Sequence, residues 1–117
     1  MSAAVLLGIG VLGGLGAVAR FMLDGAVTER VAASFPWGTL AVNASGAFVL
    51  GLLVGAALHG DAYRLAATGL LGGYTTFSTW MLETHRLAED GRGPLGLLNV
   101  AASLAIGLAA AALGRAL

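Results

Sequence analysis

The chain has 117 residues, of which 58% are hydrophobic and 10% are charged, and its mean hydropathy is strongly positive at +0.90. Since soluble domains carry roughly 25% charged residues, this composition excludes an ordinary water-soluble globule and indicates one membrane domain over residues 1–117. The zero formal net charge argues against a nucleic-acid partner, and the lack of cysteine excludes disulfides and thiolate metal sites.

Four uncharged windows each approach the ~20 residues that a membrane-spanning helix needs. They cover residues 1–19, 31–58, 65–82 and 93–114, and the second helix proper is expected to begin near Gly38, after Pro36. The first window lacks a basic n-region and is long for a signal peptide, so we interpret it as a retained span. The sequence therefore predicts an all-α, multi-pass membrane protein with four helices joined by short loops.

Pairs of glycines four residues apart recur along the windows. They are Gly10/Gly14, Gly51/Gly55 and Gly69/Gly73. Small residues at this spacing let helix backbones approach closely in lipid, either within one subunit or between subunits. Because four short helices enclose little volume, we expect an oligomer to form any pathway across the bilayer.

The second helix carries an unusual amide. Thr39 and Asn43 are four residues apart and therefore share one helix face. A buried amide is costly unless it is hydrogen-bonded. Asn43 is thus either a donor that lines a pathway or a clamp between neighbouring helices, and the pattern leaves both interpretations open.

The third window contains a stretch that suits a continuous helix poorly, residues 69–80 with the sequence GLLGGYTTFSTW. Gly72 and Gly73 each weaken a helix by about 1 kcal/mol relative to alanine. Thr75 and Thr76 are β-branched, and their hydroxyls compete for backbone groups. We predict a helix break here, which lipid tolerates only where protein or a wet pathway satisfies the freed backbone groups.

Polar and aromatic side chains alternate after the predicted break. Ser78 and Thr79 lie between Phe77 and Trp80. Aromatic edges carry partial positive charge, and with hydroxyl and amide donors they suit a small, hard anion stripped of water. An aromatic pair three apart is also typical of ordinary packing, so the pair alone does not specify a pathway.

Two further candidates lie in the outer helices. Ser103 follows Asn99 by four residues in the fourth window, and Arg20 closes the first window. Arg20 either attracts anions to a mouth or is an interfacial arginine that extends toward water.

The set of polar and ionisable residues in the predicted helices argues against catalysis and against proton coupling. No Asp, Glu, His or Lys is predicted deep in a helix, and Glu83 and His85 are expected in the solvated interface. His59 and His85 fall on opposite sides of the membrane, so they cannot form a shared metal site or triad within one subunit. We therefore predict passive permeation rather than an enzyme; the alternative is a small multidrug-type proton-coupled transporter, which needs an intramembrane carboxylate.

The polar residues all fall in one half of the membrane. Alternating helix directions place the first-to-second and third-to-fourth connections on one side, with four arginines, against two on the other. This weak bias permits insertion in both orientations. A second, inverted copy would supply the missing half of a polar pathway, so we predict an antiparallel dimer.

Three motifs together resemble the Fluc/CrcB family of fluoride channels. They are GGLGAVAR at residues 13–20, GTLAVNASG at 38–46 and GGYTTFST at 72–79, in that order along the chain. The resemblance implies a dual-topology dimer that exports fluoride through two pores and holds a structural sodium ion at its interface. It also implies lipid, fluoride and an inverted second copy as the partners.

The resemblance assigns expected roles to residues of this chain. The backbone carbonyls of Gly72 and Thr75 are the expected sodium ligands, which agrees with carbonyls freed at a half-helix end. Arg20 is expected to be structural or vestibular. The expected fluoride-pore residues are Asn43, Phe77, Trp80, Ser78, Thr79, Ser103 and Thr39.

Two positions depart from the family pattern. Trp80 stands where the family has phenylalanine, and it adds an indole N–H donor. Asn99 stands where other members have a tyrosine four residues before the serine. These changes leave open an altered conduction or a heterodimer with a homologous chain. A separate alternative is an assembly subunit that does not transport.

Overall fold

The computed structural model describes residues 1–31 and 33–117, and within them all the regular structure is helical. Helix α1 spans Ala3–Arg30, α2 spans Trp37–Gly55 and α5 spans Gly93–Ala116, and each is long and apolar enough to cross a membrane. The remaining crossing is divided in two. Its first half, α3, joins the contiguous segments Gly60–Tyr63, Arg64–Leu71 and Gly72–Tyr74; its second half, α4, spans Ser78–Glu89. The predicted all-α membrane fold with a broken third crossing is confirmed.

Helix α1 is longer than the apolar window predicts, because it continues beyond residue 19 to Arg30. Arg20 and Asp24 therefore lie inside a helix rather than at its end or in a loop, and both are half-buried. Arg20 Nε donates to the carbonyl of Gly73 at 3.3 Å. The Thr28 hydroxyl donates to Asp24 Oδ1 at 3.3 Å. These partners allow the helix to extend past its first charges.

Glycines bring neighbouring helix backbones into contact at two crossings. A Cβ added to Gly73 would collide with the carbonyl of Gly13, where α3 crosses α1. One added to Gly51 would collide with the carbonyl of Ala111, where α2 crosses α5. The expected close packing at Gly51/Gly55 and Gly69/Gly73 is confirmed. Gly10, by contrast, meets no described atom within 4 Å and serves no contact inside the subunit.

The break in the third crossing falls at residues 75–77, just after the two glycines that predicted it. Gly72 and Gly73 remain helical, in the last turn of α3. Thr75 is extended, with φ −84° and ψ 157°. Its amide N–H and its hydroxyl both donate to the carbonyl of Leu71, each at 2.9 Å. The threonine hydroxyl thus competes for the backbone as expected, and the chain leaves the helix.

A single subunit leaves much of its apolar surface open. Phe21 is 80% exposed, Leu97 72% and Phe77 70%. Phe21 and Leu97 belong to helices that could face lipid directly. Phe77, in contrast, belongs to the break, where unsatisfied backbone must be kept from lipid.

Candidate functional site

Asn43 clamps the break. Its Nδ2 donates to the carbonyl of Thr76 at 2.8 Å, and its Oδ1 accepts from the Thr76 amide N–H at 2.8 Å. The two bonds satisfy both backbone groups of a residue that belongs to neither half-helix. An amide nitrogen carries two N–H groups, and the bond to Thr76 uses one of them. Asn43 is therefore a clamp between neighbouring elements, and one of its N–H groups is not used by the bond to Thr76.

Hydroxyl groups organise the start of α4. The Thr79 amide N–H donates to Thr76 Oγ1 at 3.2 Å, and this hydroxyl in turn donates to Thr79 Oγ1 at 3.1 Å. A threonine side chain that accepts from the amide three residues on is an N-cap interaction. Ser78 is exposed, and its Oγ lies 3.5 Å from Thr76 Oγ1. The polar run after the break therefore starts the second half-helix and leaves Ser78 open.

An open groove of about 350 Å³ lies beside the break, between α2 and the third crossing. It brings together five of the predicted site residues, namely Asn43, Gly72, Thr75, Phe77 and Trp80. Most of its lining is apolar, and Asn43 and Thr76 supply polar atoms at its edge. Among the described residues, Thr39, Ser78, Thr79 and Ser103 do not line this groove.

Phe77 and Trp80 form an edge-to-face pair on the groove. Their ring centroids are 5.8 Å apart, and their planes meet at 85°. In such a pair the positive edge of one ring faces the negative face of the other. Phe77 is 70% exposed, so most of its surface has no contact within the subunit.

Asn99 lies behind Trp80 rather than on the groove. It is 1% exposed, and its Nδ2 donates to Thr84 Oγ1 at 2.9 Å and to the Trp80 carbonyl at 3.4 Å. The Ser103 hydroxyl donates to Asn99 Oδ1 at 3.4 Å. In this subunit Ser103 is thus joined to the α4–α5 contact.

Some backbone carbonyls around the break accept a hydrogen bond, and others accept none. Leu71 accepts from Thr75, Gly73 accepts from Arg20, and Thr76 accepts from Asn43. Within residues 1–31 and 33–117, the carbonyls of Gly72 and Thr75 accept no hydrogen bond. These are the two carbonyls expected to hold sodium. Free backbone oxygens at a half-helix end fit a hard cation.

Arg20 supports the break from the other side. Its bond to the Gly73 carbonyl joins residues 53 positions apart in the chain. The neighbouring Gly16 packs directly against the backbone of Leu70 and Tyr74. The structure therefore gives Arg20 a structural contact at the end of α3.

A second polar cluster, around Glu83, was missed by sequence reasoning. Glu83 is half-buried rather than solvated, and its carboxyl faces the side chain of Thr39, which is 3% exposed. Thr39 Oγ1 and Glu83 Oε1 are both buried, and neither has a hydrogen bond of regular geometry within the described part of the chain. Asp24 and Arg86 lie close enough to act on the Glu83 charge. The sequence signal that could have indicated this burial was the position of Glu83 three residues after Trp80, on the same face of α4.

Sequence comparison with known proteins extends over the helices that form the break and the groove. Residues 7–115 match the family described as CrcB-like protein, Camphor Resistance (CrcB). The chain is 51% identical over 115 residues to the fluoride-specific ion channel FluC 2 of Mycobacterium bovis, covering 98% of this chain and 91% of that one. It is 49% identical over 106 residues to the fluoride-specific ion channel FluC of Geobacter sulfurreducens, covering 86% of each. The matched range includes the break, the groove and the Asn99 contact.

Proposed function

The chain belongs to the CrcB-like family, and on this basis we propose that it is a fluoride-specific ion channel that passively exports fluoride from the cytoplasm. Export through such a pore lowers the toxicity of the ion to the cell. The geometric observation that carries the proposal is the groove beside the break, where an amide and the edges of aromatic rings meet. The groove holds no fixed cation among its described lining residues.

The donors on the groove suit weak, sequential contacts with a small anion. Asn43 has one N–H group beyond the one used by Thr76, and Phe77 offers C–H edges with partial positive charge. Conduction requires binding that is favourable enough for entry and weak enough for exit. A guanidinium or ammonium group at this point would instead hold fluoride tightly. We assign Asn43, Phe77 and Trp80 to the fluoride path.

The remaining predicted pore residues lie outside the groove, so they would contact fluoride only before or after it passes the groove. Ser78 and Thr79 lie at the start of α4, and Thr39 lies beside Glu83. We propose that they contact fluoride as it approaches or leaves the aromatic pair. Ser103 would do so only where a neighbouring copy reaches the α4–α5 contact.

We propose that a second copy, inverted in the membrane, closes the groove. The supporting observations are the 70% exposure of Phe77 and the open groove at a backbone break that lipid alone cannot cover. An isologous pairing presents the same patch on both subunits, so each break would face its inverted counterpart. Two equivalent grooves would then provide two pores.

The dimer interface would also hold the structural sodium ion. The free carbonyls of Gly72 and Thr75 from both copies supply four oxygen ligands to a hard cation. The ion would join the two breaks and stabilise the assembly without lying in the fluoride path.

Ion efflux from proteoliposomes tests the proposed activity. Liposomes loaded with fluoride and chloride should release fluoride, and not chloride, when the purified protein is present. An imposed proton gradient should not drive uptake of lipophilic cations, as it would for a multidrug-type transporter. Chloride release equal to fluoride release, or no fluoride release, would overturn the assignment.

Labelling from both sides of the membrane tests the orientation. The natural chain has no cysteine, so Asp61→Cys, in the exposed first turn of α3, provides a single thiol. A membrane-impermeant maleimide should label about half of the molecules in intact cells, since equal numbers of copies face each way. Labelling of all or none would contradict self-pairing and favour a homologous partner chain.

A further inference from the structure

The indole N–H of Trp80 points away from the groove. Trp80 Nε1 donates to the backbone carbonyl of Asn99 at 3.2 Å. Asn99 is 1% exposed and is not part of the groove lining, whereas the Trp80 side chain is. The ring therefore contributes its hydrocarbon surface to the groove while its one polar donor is bonded to α5.

The Asn99 side chain holds the same junction from the other direction. Its Nδ2 donates to the Trp80 carbonyl and to Thr84 Oγ1, and Thr84 Oγ1 itself donates to the Trp80 carbonyl at 2.9 Å. Trp80 is thus attached to α5 through both its indole and its backbone. A part-buried hydrogen-bond network of this kind favours one arrangement of the two helices.

The attachment of Trp80 determines how Phe77 is presented. Phe77 has one aromatic neighbour among the described residues, Trp80, which it meets at 85°. Because Phe77 is otherwise largely exposed, the orientation of its ring within the subunit depends on that contact. Movement of the indole would change which part of Phe77 faces the groove.

We propose that Trp80 and Asn99 act together as a positioning pair that withholds the indole N–H from fluoride and fixes the edge of Phe77 toward the groove. The inference rests on the proposed function, since it concerns the same fluoride path. An indole N–H is a full hydrogen-bond donor, and a desolvated fluoride ion would bind it far more tightly than a C–H edge. With the N–H bonded to α5, Trp80 provides a ring where the family pattern has phenylalanine, without adding a trap to the pore.

A double-mutant cycle at Trp80 and Asn99 distinguishes this positioning role from a role of Asn99 in packing alone. Asn99→Ala leaves the backbone carbonyl that accepts the indole N–H, but it removes the side-chain bonds to the Trp80 carbonyl and Thr84 Oγ1 that hold α4 against α5. The indole is then no longer held against that carbonyl, and its N–H can turn into the groove. We expect fluoride efflux to fall about tenfold, the scale of one hydrogen bond to a charged group. In Trp80→Phe/Asn99→Ala no N–H exists, so efflux should return to within about threefold of Trp80→Phe alone. Equal losses from Asn99→Ala in both backgrounds would contradict the positioning role, because loss of packing acts with or without the indole.

Nuclear magnetic resonance of the indole observes the withheld donor directly. The chain has two tryptophans, and Trp37, which packs against Phe35, is replaced in Trp37→Phe to leave Trp80 as the only indole. With ¹⁵N-indole labelling, we expect slow hydrogen exchange at Trp80 and no shift of its N–H signal on fluoride titration. Fast exchange, or a shift that saturates with fluoride, would overturn the proposal.

The side-chain amide of Asn43 is the internal reference for the titration. If fluoride enters the groove, the Asn43 Nδ2 signals should move while the Trp80 signal stays in place. If neither signal moves and the liposomes release no fluoride, the proposed function fails. The exchange rate of the indole still tests the Asn99 attachment in that case.

Discussion

Replacement of Asn43 by alanine should weaken the fold and the fluoride path together. The change removes both 2.8 Å bonds to Thr76 and leaves a backbone N–H and a carbonyl unpaired at the break. Each unpaired group costs about 1–3 kcal/mol, so the loss should be about 2–6 kcal/mol in the free energy of unfolding. Asn43 also provides the amide donor of the groove, so fluoride efflux should fall with it.

Thermal unfolding in detergent, monitored as loss of the folded species on size-exclusion chromatography, measures the first effect. Ser45→Ala, on the same helix, is the matched control, since it removes one bond between helices, with the Tyr74 hydroxyl at 2.8 Å, and one local bond to the Val42 carbonyl at 3.0 Å. It should cost about 0.5–1.5 kcal/mol. If Asn43→Ala unfolded no more easily than Ser45→Ala, the clamp would not be what maintains the break.

Three further predictions concern the groove, the helix crossings and the sodium ion. Phe77→Ile should suppress fluoride efflux without changing the elution of the proposed dimer on size-exclusion chromatography. Unchanged efflux would show that Phe77 does not line the fluoride path. Gly73→Ala should destabilise the protein by about 1–3 kcal/mol, because its Cβ collides with the Gly13 carbonyl. Gly10→Ala, which meets open space inside α1, should not destabilise it in the same melting assay and should stabilise it by up to about 1 kcal/mol. Equal melting of these two variants would contradict the close crossing of α1 and α3. Exchange of sodium for N-methylglucamine should lower the melting temperature of the dimer, as expected when a ligand that binds only the folded state is removed. A melting temperature independent of sodium would exclude a structural role for the ion.

The helices and the break follow from local features of the chain. Apolar windows of spanning length locate α1, α2 and α5, and the run from Gly72 to Phe77 locates the break. The physical reason for the break differs slightly from the expectation. Both glycines stay helical, and Gly73 packs against the Gly13 carbonyl of α1. The chain leaves the helix at Thr75, whose hydroxyl bonds back to the Leu71 carbonyl.

The length of α1 could not be read from hydropathy. A window ends at its first charged residue, here Arg20, but a helix ends only where its backbone loses its partners. The Gly73 carbonyl that accepts from Arg20 lies 53 positions away, so its contribution appears only after the chain has folded.

The partners of the buried polar groups could also not be predicted. The cost of a buried amide requires that Asn43 be bonded, yet nothing local specifies Thr76 on another helix as the partner. In the same way, Glu83 follows a hydrophobic run and was expected in the interface, whereas the packing of α2 against α4 places Thr39 in front of it. Four of the five predicted site residues on the groove lie between Gly72 and Trp80, so their spacing places them beside the break, whereas Asn43 reaches the groove only through the packing of α2.

The reversal potential in a planar bilayer tests the central claim of fluoride selectivity most directly. With a tenfold fluoride gradient and an equal, opposite chloride gradient, a fluoride-selective pore should reverse near the fluoride equilibrium potential, about 59 mV in magnitude. A reversal potential at zero, or one of the opposite sign, would show that chloride passes as readily as fluoride or more so, and would contradict the assignment.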